Sequence, residues 1–232
     1  MTSDRPHAVQ TSARLLLARL WRWRQEFFPA AVKIDEFLRG APELLVRHFM
    51  DVTLEHREME SADPAVRIAG FLDRDARLIV ISTRFKREWQ RFTLAHEIGH
   101  WMLHTAHRHF RERQIPGTDF HDRRRPREEV EADLFAAELL MPQKILRSAF
   151  AARFGDPSDE EVSVLELAQN LSMALRRPID PGALSLMKPS RRAALIASAP
   201  FFRGNHFKPL TEQFDVSATA MGIQLLETGL VR

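Results

Sequence analysis

Two histidines flank a glutamate in the order His96-Glu97-Ile98-Gly99-His100, an HExxH spacing. On a helix, residues four apart share a face with Cβ atoms roughly 5–6 Å apart, so both imidazoles can bind one zinc ion at about 2.0–2.1 Å. Glu97 falls one step round the helix, where it can take a proton from a zinc-activated water without occupying a ligand position. Leu94, Ala95, Ile98, Trp101, Met102 and Leu103 make up the apolar remainder, so the helix is expected to be largely buried. Buried imidazoles and a buried carboxylate need partners, and one metal ion serves all three.

Chance places HExxH in roughly 3 of 100 chains of this length and composition, so the motif needs a third ligand to support it. His104 is nearest, but an α-helix turns about 40° and climbs about 6 Å over each further four residues. Three imidazoles at i, i+4 and i+8 do not converge, and Trp101-Met102-Leu103 carries no helix-breaking glycine. His104 therefore reads as a group behind the ligands or at the helix end. Glu128-Glu129-Val130-Glu131-Ala132-Asp133 opens a second helical run that continues to Met141 and stops at Pro142. Glu129 and Asp133 share a face at i, i+4: Glu129 can ligate the metal, and Asp133 can accept the free N–H of a ligand histidine. Glu128 and Glu131 read as exposed acids favoured by the helix dipole. Ala132, Ala136 and Ala137 allow close approach to the histidine helix.

The two blocks, Arg91-Phe92-Thr93-Leu94-Ala95-His96-Glu97-Ile98-Gly99-His100 and Glu129-Val130-Glu131-Ala132-Asp133-Leu134-Phe135-Ala136-Ala137-Glu138-Leu139-Leu140-Met141-Pro142, resemble the ImmA/IrrE family of zinc metallopeptidases. The resemblance covers roughly residues 34–150. It implies Zn2+ held by His96, His100 and Glu129, Glu97 as the catalytic general base, and a DNA-binding transcriptional repressor as substrate.

The elements around these blocks read as follows. Ile34 to Phe49 is a helix. Val52–His56, Val66–Leu72 and Arg77–Ser82 are strands, the last two joined as an antiparallel hairpin by Asp73-Arg74-Asp75-Ala76. An exposed edge of that sheet would bind an extended peptide by strand addition. Residues 105–127, with His107, His109, His121, several arginines and Pro116-Gly117, read as a loop between the two ligand helices. With no tyrosine in the chain, an oxyanion-stabilising group would have to come from another residue type, the backbone or the metal.

Residues 1–30 form a basic, tryptophan-bearing segment ended by Pro29. It reads as an amphipathic helix meeting a partner or membrane surface, or as a stretch that caps the core of its own domain or is partly disordered. Val162–Leu175 and Leu184–Ala197 read as helices. Leu210–Leu230 has a helix-turn-helix cadence, turning at Asp215-Val216-Ser217 and ending at Gly229. Its second helix offers base edges only Gln224 and Thr219, and the segment has few cations for phosphates. A packing or substrate-docking role suits it better than direct DNA reading.

The chain has 232 residues, 44% hydrophobic and 28% charged, with net charge +3 and no cysteine. That is an ordinary globular balance, too weakly basic to argue for nucleic acid, and it confines a metal site to His and carboxylate ligands. No signal peptide is evident and no apolar run reaches the ~20 residues of a membrane span, so a cytoplasmic protein is expected. The expected fold class is α+β. A small antiparallel or mixed sheet packs on the HExxH helix and a second ligand-bearing helix, followed by a helical C-terminal region. The expected divisions are 1–30 (basic extension), 31–155 (zinc metallopeptidase domain) and 156–232 (helical). The expected function is a zinc-dependent endopeptidase that cuts a regulatory protein, a helix-turn-helix repressor. The alternatives are a non-catalytic zinc-stabilised regulator that binds a transcription factor and a DNA-binding regulator acting through the C-terminal helices.

Overall fold

The computed structural model describes residues 4–28, 31–60, 67–105, 109–114, 126–155 and 162–231. They fall into two compact units, Met1–Leu140 and Met141–Arg232. The fold is α+β. No helix among the described residues is long and apolar enough to cross a membrane.

The first unit runs α1 (Arg5–Arg22), α2 (Arg24–Phe27), α3 (Ile34–Phe49), β1 (Thr53–Arg57), β2 (Arg67–Asp73), β3 (Leu78–Ser82), α4 (Arg87–Leu103), β4 (His109–Gln114) and α5 (Arg127–Leu140). The strands form one mixed sheet in the order β1-β3-β2-β4. β3 carries the run Ile79, Val80 and Ile81, all buried, as befits a strand covered on both faces. β1 pairs parallel to it, Thr53 opposite Leu78, and β2 pairs antiparallel, Gly70 opposite Ile81. Ala76 N–H donates to Asp73 Oδ1 at 2.9 Å, and Arg77 takes φ 51°, which closes the turn of the expected hairpin.

The stretch expected as a loop at 105–127 contains β4, whose backbone pairs antiparallel with β2 from Asp73–His109 to Arg67–Gln114. His109-Phe110-Arg111-Glu112-Arg113-Gln114 has no apolar alternation to signal a strand; the ladder to β2 makes it one. His107, Pro116-Gly117 and His121 lie outside the described residues.

α4 is buried on nearly every side, with Leu94, Ala95 and Ile98 shielded from solvent. It packs on α5 and on β2 and β3. Gly99 sets the closeness of the two helices: a Cβ there would stand 3.2 Å from the Ala132 backbone and from Phe135 Cβ, tighter than ordinary van der Waals contact. Arg74, in the β2–β3 turn, donates to the carbonyls of His100 at 2.8 Å and Trp101 at 2.5 Å. Its guanidinium also lies over the Trp101 ring. A cation on the last carbonyls of a helix is the favourable end for one.

The basic N-terminal segment folds as α1 and packs its stripe Val9, Ala13, Leu16, Leu17 and Leu20 within this unit, chiefly on α5. Trp21 meets Phe37 of α3 edge-on at 4.8 Å. α1 thus helps to cover the core of its own unit.

The second unit comprises α6 (Gln143–Phe154), α7 (Val164–Leu175), α8 (Pro181–Ser185), α9 (Pro189–Ala197), β5 (Phe201–Phe202), β6 (Asn205–His206), α10 (Leu210–Phe214) and α11 (Ala218–Glu227). The helix expected over Leu184–Ala197 is two helices. Pro189 drives Lys188 into an extended conformation and restarts the helix at its first position. Ser163 and Glu166 make a reciprocal capping box on α7. β5 and β6 turn through Arg203 and Gly204, both at positive φ. The helix-turn-helix cadence is present: Asp215 ends α10 in the left-handed region and the Ser217 side chain accepts from Ala220 N–H. Gly222 packs so close to α9 that a Cβ would lie 2.7 Å from Ala194 N. Gln224, the residue on α11 with the best chemistry for a base edge, is only 3% exposed.

Candidate metal centre

The residues that could hold a metal come from two helices that approach closely at Gly99. α4 brings His96 and His100 to one face, and the first turns of α5 bring Glu129 opposite them. His96 Nε2 and His100 Nε2 are 2.9 Å apart. Glu129 Oε2 lies 3.3 Å from His96 Nε2, and Oε1 lies 3.3 Å from His100 Nε2. One ligand atom from each of the three side chains lies within 4.8 Å of the others.

The imidazoles are oriented from behind. His96 Nδ1 is 2.8 Å from Asp133 Oδ1, one turn beyond Glu129 on α5. A carboxylate only accepts, so the proton of neutral His96 belongs on Nδ1 and the Nε2 lone pair faces His100 and Glu129. Burial disfavours the charged form of His100 and takes its pKa down from 6.5 to about 4, against the pull of Glu129. Neutral imidazoles and an anionic carboxylate are the protonation states a metal ion requires.

Nitrogen lone pairs turned toward each other beside a carboxylate repel unless a positive charge lies among them. Two imidazoles and one carboxylate form a donor set suited to zinc. Glu97, between the histidines in sequence, is fully buried. Among the described residues, this is the one group of three or more His, Cys, Asp or Glu side chains close enough to hold a metal.

His104 caps the end of α4 and supplies no atom to the cluster; its Nδ1 lies 3.0 Å from His100 Nδ1. Glu131 departs from the sequence expectation. It is buried rather than an exposed acid of the helix start, and its carboxylate sits 3.2 Å from His104 Nε2. Hydrogen bonds from Arg5, and then from Arg127 and His104, overcome burial and bring its pKa down to about 2. Spacing on α5 gave no sign of this, because Arg5 arrives from another helix 126 residues away.

A search of curated proteins finds no match. The Peptidase_M78 family, described as an IrrE N-terminal-like domain, matches residues 49–173. The matched stretch contains β1–β4, both ligand-bearing helices and each residue of the cluster. It spans more than half of the chain, which therefore belongs to the Peptidase_M78 family.

Proposed function

We propose that the chain is a zinc-dependent endopeptidase that cuts a regulatory protein, with a helix-turn-helix transcriptional repressor as the substrate class. The observation that carries this reading is the meeting of His96 Nε2, His100 Nε2 and the Glu129 carboxylate at hydrogen-bond distances. Membership in a peptidase family supports it. His96, His100 and Glu129 would hold the ion. When bound, zinc would polarise the scissile carbonyl and bring the pKa of a water toward about 7. Glu97, next to His96 on α4, accepts that water's proton and returns it to the leaving amine. Asp133 keeps His96 in the tautomer that faces the ion.

Strands β1 and β4 are the edges of the sheet. An extended segment that adds to one of them gains backbone hydrogen bonds without a demand on its sequence. That suits a protein substrate better than a small molecule. A repressor substrate places the enzyme in the cytoplasm.

The test is to incubate the zinc-loaded protein with the helix-turn-helix repressor encoded in a neighbouring reading frame and to analyse the products by mass spectrometry. One defined cut, absent with Glu97→Gln, is expected. An intact repressor in a stable complex would replace this reading with that of a non-catalytic regulator.

A further inference from the structure

His104 turns to the back of His100, away from the cluster. Its Nε2 faces Glu131 Oε2 at 3.2 Å and its Nδ1 faces His100 Nδ1 at 3.0 Å. The carboxylate can only accept, so the proton of a neutral His104 sits on Nε2 and its Nδ1 offers a lone pair. That lone pair accepts the Nδ1–H of His100. The Nε2 lone pair of His100 is then left facing His96 and Glu129. His96 obtains the same tautomer in one step from Asp133, whereas His100 needs two.

Glu131 is itself held from two sides. Arg127, one turn earlier on α5, donates to Oε1 at 2.6 Å. Arg5 of α1 grips both oxygens, Nε to Oε1 at 2.9 Å and Nη2 to Oε2 at 3.0 Å. This bidentate geometry fixes the carboxylate plane as well as its charge. Arg5 lies outside the stretch matched by the family, residues 49–173.

We propose that the N-terminal helix α1 positions the metal-facing nitrogen of His100 through the chain Arg5, Glu131, His104, His100. The proposal rests on the metal reading above. Docking of α1 does not by itself call for a histidine, because Val9, Ala13, Leu16, Leu17 and Leu20 already bury the helix and Arg14 pairs with Glu138 at 3.5 Å. The imidazole between Glu131 and His100 is what converts that docking into an orientation of a ligand. Arg5, Glu131 and His104 are positioning residues.

The experiment measures zinc affinity of the full chain by competition with a chromophoric chelator, with folding monitored by circular dichroism. His104→Leu removes both hydrogen bonds and is expected to weaken zinc binding roughly 10–100-fold. His104→Gln keeps an acceptor and a donor and should recover most of that loss. Arg5→Glu sets a like charge against Glu131 and should cost roughly threefold, the scale of an exposed ion pair. In the His104→Leu background Arg5→Glu should cost nothing further, since the path is already cut. Nitrogen-15 spectra of the metal-free protein give a second reading: His100 should be the Nδ1–H tautomer, and Arg5→Glu should erode that preference even if His104→Leu fails to fold. Wild-type affinity in His104→Leu, a His104→Gln no better than His104→Leu, or an Arg5→Glu loss that persists in the His104→Leu background would overturn the chain. A wild-type protein that takes up no zinc would overturn the metal reading, and this proposal with it.

Discussion

Arg91 of α4 donates from Nη2 to the Leu38 carbonyl of α3 at 3.2 Å. Leu38 is the residue whose helical partner four positions on is Pro42, which has no N–H to give. The arginine five residues before His96 thus fills a gap that the proline opens, and it ties the histidine helix to its neighbour. Arg91→Met should destabilise the first unit by about 1–3 kcal/mol, the cost of a buried carbonyl stripped of its donor. Pro42→Ala restores the missing N–H, so the same arginine change should cost less in that background. Urea titrations of the four proteins check this. Equal losses in both backgrounds would separate Arg91 from Pro42.

Asp133 Oδ1 of α5 stands 2.8 Å from His96 Nδ1 of α4. Asp133→Asn retains an acceptor but not its charge, and should weaken zinc binding roughly tenfold; Asp133→Ala should approach a hundredfold. Chelator competition measures both. Undiminished affinity in Asp133→Ala would remove this carboxylate from the support of the ligand.

Glu97→Gln keeps the shape of the side chain but cannot take up a proton as a carboxylate does. Turnover should fall by roughly 10²–10⁴ while bound zinc, measured by elemental analysis, stays near the wild-type ratio. His100→Ala should lose zinc and activity together. If both variants shed zinc alike, Glu97 is a ligand and its assignment as base is wrong.

The second unit offers a pH test away from the metal site. Hydrogen bonds from Arg203, and a smaller contribution from Ser163, hold Glu166 below its ordinary value of 4.5 despite partial burial. A carboxyl with a depressed folded pKa stabilises the fold above its unfolded pKa, and that stability drains away as pH falls through the folded value. Glu166→Gln keeps a capping-box side chain but loses the charge. It should be less stable than wild type by up to about 1 kcal/mol at pH 7 and equal to it well below pH 4. Thermal melts across that range check the sign; a gap that widens in acid would refute it.

Much of the site was legible in the sequence because the relevant distances lie within single helices. His96 and His100, and likewise Glu129 and Asp133, are i, i+4 pairs, and helix geometry alone sets their faces. α3 covers Ile34–Phe49, the range its periodicity predicts. What escaped depends on contacts far apart in the chain. Glu131 resembled a solvated acid until Arg5 covered it from α1. β4 is a strand through its ladder to β2, with a charged sequence that carries no period. Arg74 looked like one residue of a turn, yet it caps α4 because the hairpin folds back to that helix end. Parallel pairing of β1 with β3 leaves no trace in either strand taken alone.

Arg5 and Glu131 stand 126 residues apart. At translation rates of about 5–20 residues per second, Arg5 is made roughly 6–25 s before its partner. Throughout that interval the apolar stripe of α1 lacks the helix that will cover it, and Arg14, Arg19 and Arg22 keep the segment hydrated. The histidine pair is also finished before α5 exists. A nascent chain therefore carries two of the three proposed metal ligands and neither carboxylate proposed to orient the imidazoles, directly or through His104, so the proposed centre is incomplete until the end of the first unit has been synthesised.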